Sequence, residues 1–162
     1  MENTLNYINA SLQNFSPIVE IEDKQTMAVG YLKEHGFDFG KDEVWRFVDF
    51  SSFLGDSLDL PNAEDKHEYE FTCNIPHLDT TRLTLFNGYV ADSDRMTITP
   101  QGVIMGSIRE ALKQYPQLVA KYFANCYNKD NSFLAANTAL FTDGFFIYVT
   151  DNVVIEKPIQ IL

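Results

Sequence analysis

Phe145-Phe146-Ile147-Tyr148-Val149, Thr150-Asp151-Asn152, Val153-Val154-Ile155, Glu156-Lys157-Pro158 and Ile159-Gln160-Ile161-Leu162 close the sequence, and their reading decides the fold. Three short runs of β-branched and aromatic residues alternate with turn-forming residues, which is the pattern of short strands. Apolar residues occur on both faces of each run, as expected for strands covered on two sides. The last run ends at Leu162 without a polar cap, and such an ending is expected of a cut sheet. The strands from Phe145 onward are therefore expected to be partly exposed or paired with another molecule, including a second copy of the chain.

Helical signals lie immediately upstream. Ser132 to Thr142 reads as a helix, with Phe133 and Leu140 seven apart, Leu134 and Phe141 likewise, and Gly144 at its end. Ser107 followed three residues later by Glu110 matches a capping box, so a helix is expected from Ile108 with Leu112 and Tyr115 on one face. Pro116 is excluded from a helix interior but suits a first turn, which predicts a kink or a second helix carrying Leu118, Val119, Tyr122 and Phe123. Before these, Arg82 to Phe86, Asn87-Gly88 and Tyr89-Val90 form a hairpin signature, because Asn-Gly readily supplies both positive-φ turn positions. Arg95 to Thr99 and Val103 to Met105 flank a Pro100-Gln101-Gly102 turn and extend the strand region.

Residues 54–70 are acidic and loop-like, the best internal linker in the chain. The first sixty residues read as helices. One contains Leu5, Ile8, Leu12 and Phe15 and ends at Ser16-Pro17; another runs from about Lys24 to His35, with Met27, Ala28, Tyr31 and Leu32 in phase and Gly36 as its stop. Lys41 to Phe50 fits either a helix or a strand. The expected class is α+β, with a mixed helical region over 1–130 and the first strands of a second region over 131–162.

Composition narrows function. The 162 residues carry 12 Lys+Arg against 23 Asp+Glu, a net charge of −11, which disfavours nucleic acid and anionic membrane surfaces. No apolar run or basic leader suggests a membrane span or a signal peptide, and the expected location is the cytoplasm. Two cysteines, Cys73 and Cys126, are too few for a disulfide scaffold.

Chemistry-bearing candidates are sparse. Cys73, His77 and His67 have spacings that could serve a metal, but zinc needs further ligands and no second pair at finger spacing exists; a buried thiol beside a surface histidine is the simpler reading. Cys126 or Cys73 can be combined on paper with a histidine and an aspartate for nucleophilic catalysis, yet no local signature supports such a set. Glu20 with Glu22 and Glu64 with Asp65 read as solvated charge, and Trp45 reads as a core residue rather than an interface anchor. No glycine-rich phosphate loop occurs. No catalytic, cofactor-binding or metal residue is assigned on this basis.

Three stretches resemble the N-terminal part of SufD-like chains in the SufB/SufD family of iron-sulfur cluster assembly subunits. Gly36-Phe37 with Lys41 to Asp49 is similar to a G-F-P-x-x-K-x-E-x-W-K-Y-T stretch, although Asp38, Phe47 and Val48 depart from it. Gly102-Val103-Ile104-Met105-Gly106-Ser107-Ile108 resembles G-V-x-x-G-S-L. Asn137 to Val149 and Val153 to Ile159 are similar to N-T-A-x-F-x-D-G-x-x-I-Y-V and V-V-x-E-K-P-I, the most specific of the three.

The resemblance implies a non-enzymatic scaffold that pairs with a SufB-like paralogue and carries a SufC-like ATPase. It implies that 131–162 begins a right-handed β-helix, and that the iron-sulfur cluster is handled by the parent complex with no cofactor bound by this region. A small protein-binding module and a cysteine-dependent enzyme are the competing readings.

Overall fold

The computed structural model describes residues 4–37, 43, 47–48, 75–86, 88–91, 96–125 and 131–162. The chain divides into two compact units, each discontinuous in sequence: residues 1–60 with 120–141, and 61–119 with 142–162. Together they hold helices and small sheets, an α+β composition.

The first unit is helical. Helix α1 spans Thr4–Gln13, a single 3-10 turn spans Val19–Ile21, and α2 spans Glu22–His35. Acidic Glu22 and Asp23 open α2 while Lys33 and His35 close it, so the side-chain charges complement the helix dipole. Gly36, at φ +59°, ends the helix as expected, its N–H returning to the Leu32 carbonyl at 2.9 Å. The buried stripe is Gln25, Ala28, Val29 and Leu32, the i, i+3, i+4, i+7 set. Met27, assigned from the sequence to the apolar face, is exposed.

That stripe packs on Ala135 and Ala139 of α5, which spans Ser132–Ala139. Small alanines let the two helix backbones approach, and Leu12, Phe15, Phe37 and Leu140 fill the margin. The carboxamide of Asn131 starts α5 by accepting from the N–H groups of Phe133 and Leu134 at 3.0 and 3.1 Å. The helix stops at Ala139, not at Thr142; Leu140 to Gly144 is irregular, so Gly144 is not its cap.

Helix α4, Pro116–Tyr122, has Pro116 in its first position and follows α3, Ile108–Gln114, as a separate helix, so the expected helix pair is what forms. The unit boundary falls within α4, between Val119 and Ala120.

The second unit contains the sheets. Strands β2 (Leu85–Phe86) and β3 (Tyr89–Val90) form the anticipated hairpin, with Phe86 opposite Tyr89 and Gly88 at φ +85°. Strands β4 (Thr97–Ile98), β5 (Ile104–Ser107) and β6 (Phe145–Tyr148) make an antiparallel sheet in that order. Gly102, at φ +91°, turns β4 into β5. Strand β1 (Thr81–Leu83) pairs parallel with β7 (Ile159–Ile161), so the terminal strand lies on a segment nearly eighty residues earlier.

Two expectations for the terminal stretch are corrected. Val153 to Ile155 is not a strand: its backbone joins no ladder among the described residues, and Val154 is 80% exposed. Strand β6 is covered less fully than two-sided burial requires: Phe146 is buried and Phe145 and Tyr148 are half-buried, but Ile147 is exposed. Among the described residues no helix is long and apolar enough to cross a membrane.

Candidate functional site

The second unit converges on one carboxylate. Ser107 leaves β5 in extended conformation and caps α3, its Oγ accepting from the N–H groups of Arg109 and Glu110 at 3.1 and 3.4 Å. The same hydroxyl donates to Asp143 Oδ1 at 2.7 Å. Asp143 Oδ1 also accepts from Arg109 N–H at 3.4 Å, and Oδ2 accepts from Val90 N–H at 3.1 Å. One side chain thus ties the hairpin strand β3, the start of α3 and the entry to β6.

A hydroxyl against a carboxylate invites comparison with a nucleophile and its base. Here Ser107 is fully buried and its oxygen is occupied by two backbone donors and the carboxylate, an arrangement that orders a joint between segments. The capping box forms only in half. The Glu110 carboxylate turns away to Gln114 Nε2 at 2.7 Å and Lys113 Nζ at 3.0 Å, and these two contacts hold its carboxyl below the ordinary range.

Beside the sheet, a cleft of 310 Å³ opens between the Thr99-Pro100-Gln101 turn and the Val154 to Lys157 segment, with Met105 and Thr81 also on its wall. Lys157 forms an ion pair with Asp79 at 2.5 Å on the surface, and Pro158 offers its carbonyl to Thr81 N–H at 2.9 Å. The charged groups on its wall are Glu156 and Lys157, and the Lys157 ammonium is engaged by Asp79.

Of the residues weighed from the sequence, Cys73, His67, Cys126, Trp45, Glu64 and Asp65 lie outside the described residues. His77 occupies an exposed turn at φ +66°. Glu20 and Glu22 are solvated at the approach to α2, as expected. Among the described residues no group of three or more His, Cys, Asp or Glu side chains could hold a metal ion.

Sequence reasoning met Asp143 only within the third matched stretch, without a role, and passed over Gln25. Gln25 is buried in the first unit, accepting from Ile18 N–H at 2.7 Å and donating to the carbonyls of Thr138 and Ala139 at 3.4 and 3.3 Å. A polar residue in phase with Ala28, Val29 and Leu32 was the available signal.

The geometry defines a small α+β region whose second and third motif stretches meet at structural joints: Gly106-Ser107 on one strand and Asp143-Gly144 at the mouth of another. A family model described as the SufBD protein N-terminal region matches residues 9–161, and the chain belongs to that family. An Arabidopsis thaliana protein named iron-sulfur cluster assembly SufBD family protein ABCI8, chloroplastic, is 39% identical over 72 residues, 44% of this chain and 13% of the relative. Its counterpart ABCI9 from the same plant is 37% identical over 72 residues, 44% of this chain and 15% of the relative. A SufBD family protein of Staphylococcus aureus strain USA300 is 29% identical over 106 residues, 65% of this chain and 21% of the relative. The chain therefore spans only a small part of the length of these curated relatives. No solved structure matches it.

Proposed function

We propose that this chain is the N-terminal region of a SufD-like scaffold subunit that serves iron-sulfur cluster assembly without chemistry of its own. The family match over residues 9–161 carries the reading. The curated relatives bear iron-sulfur assembly names, and the polar groups that converge in the second unit are committed to holding segments together. In this reading the full-length chain pairs with a SufB-like paralogue and a SufC-like ATPase in the cytoplasm. The cluster is cargo of the parent complex, and neither nucleic acid nor a membrane is a partner.

The terminal strands supply the fold-level argument. A β-helix stacks parallel strands from successive coils, and β7 lies parallel on β1 with Thr81 opposite Ile159 and Leu83 opposite Ile161. That parallel pairing supports reading the second unit as the place where a first coil would begin.

The test is to purify the natural full-length protein from its own cells with an N-terminal tag and to identify what accompanies it by mass spectrometry. Co-purification of an ABC-type ATPase and a paralogous SufBD subunit is expected. Recovery of the protein with neither would overturn the assignment. Replacing Cys73 and Cys126 together is expected to leave complex formation intact; loss of a turnover activity instead would favour the cysteine-enzyme reading.

A further inference from the structure

The cleft beside the sheet has the parts of a small-molecule site, and the proposed function leaves it unused. Its floor is Val103 and Met105, both buried, where β5 follows the Gly102 turn. The Thr99-Pro100-Gln101 turn makes one wall and Val154 to Lys157 the other, all within one compact unit. A volume of 310 Å³, an apolar floor and a few polar groups at the mouth are the ordinary attributes of a ligand cavity.

The second wall is fixed at its ends and open between them. On the upstream side the Thr150 carbonyl accepts from Val153 N–H at 3.3 Å, and Thr150 packs against Gly102, where an added Cβ would meet its Oγ1 at 3.5 Å. Downstream, Lys157 pairs with Asp79 at 2.5 Å and the Pro158 carbonyl accepts from Thr81 N–H at 2.9 Å. Between these anchors Val154 joins no ladder among the described residues and is 80% exposed at the side of an apolar floor. A ligand body seated on Val103 and Met105 would meet Val154 on its free side and remove that exposure.

Charge selects the ligand. The Lys157 ammonium is neutralised by Asp79, whereas the Glu156 carboxylate and the Gln101 carboxamide hold no partner among the described residues. Thr99 Oγ1 is already taken, accepting from Val103 N–H at 3.2 Å. The uncompensated charge at the cleft is therefore negative, and the net charge of −11 on the chain adds to the same field. We infer that this cleft binds a small organic cation, a protonated amine carried on an apolar body. The ammonium meets Glu156 and the Gln101 amide oxygen, and the body rests on Val103, Met105 and Val154. This site is independent of the proposed role in cluster assembly and does not use the Asp143 joint.

The probe is para-fluorophenethylammonium, titrated into the natural full-length protein and followed by broadening of its fluorine resonance. Saturable binding is expected, tighter than that of the neutral alcohol or the carboxylate of matching length. Glu156→Gln should weaken the ammonium about threefold, the effect of an ion pair open to solvent, and leave the alcohol unchanged. Val154→Ser, at an exposed position that the fold tolerates, should weaken ammonium and alcohol alike. Added salt should narrow the advantage of the ammonium over the alcohol. Equal affinity for the ammonium and the carboxylate, an ammonium affinity indifferent to Glu156→Gln, or no saturable binding would overturn the inference. Binding by the 162-residue chain that the full-length protein does not reproduce would overturn it too, the cleft then being filled from within the protein.

Discussion

The two units use the same device in opposite chemical forms. In the helical unit a neutral carboxamide, Gln25, lies buried and links the chain before α2 to the end of α5. In the mixed unit a carboxylate, Asp143, lies half-buried and links three segments of strand and helix. Helices satisfy their own interiors and leave only their ends open, so one amide suffices to receive an approaching N–H and two terminal carbonyls. Short strands leave more loose backbone, and a carboxylate with several acceptor sites gathers it. The polar residue chosen by each unit follows from what its secondary structure leaves unpaired.

Substitutions at the two joints sharpen or break this comparison. Gln25→Leu should have the largest effect, about 3 kcal/mol of stability, because a buried N–H and two helix-end carbonyls lose their partner together. Chemical denaturation measures the loss, and amide exchange should place it in α2 and α5. Asp143→Ala should cost about 2 kcal/mol by releasing Ser107 Oγ and Val90 N–H, with exchange rising in β3, α3 and β6. Should either variant loosen both units equally, they fold as one cooperative body and the contrast between them fails.

Smaller effects probe the turns and the surface. Gly102→Ala should cost about 1 kcal/mol; the added Cβ meets Thr150 Oγ1 at an ordinary 3.5 Å, so the cost comes from the positive φ. A calorimetric shift confined to the mixed unit would agree. The carboxyl of Glu110 is held below its unfolded value, so its contribution is present above that value and is lost as pH falls through the folded one. Glu110→Gln should flatten that acid limb of the stability profile. Lys157→Ala should change stability by less than about 0.5 kcal/mol, because its ion pair with Asp79 is exposed to solvent.

Local chemistry was legible where a residue has few alternatives. Asn87-Gly88 located a hairpin, Gly36 and Gly102 located reversals, Pro116 separated two helices, and Ser107 marked a helix start. Long-range partnership was not. Val153 to Ile155 has strong strand propensity but finds no ladder, while Ile159 to Ile161 finds one on β1. Asn131 was overlooked as a cap, and α5 was extended past Ala139, because Leu140 and Phe141 continue an apolar rhythm that their backbone does not follow. The metal and cysteine candidates fall mostly outside the described residues, so the joints at Gln25 and Asp143 came from the structure alone.

The discontinuity of the helical unit also governs how the protein is made. Lys24 on α2 donates to the carbonyls of Ala120 and Phe123, and Ala28, Val29 and Leu32 find Ala135 and Ala139. None of these partners exists when the first sixty residues leave the ribosome. Translation must first deliver residues 61–119, an interval of about 3–12 s at ordinary elongation rates. For that time the α2 stripe has only marginal neighbours such as Leu12, Phe15 and Phe37 to pack on, a surface suited to a nascent-chain chaperone.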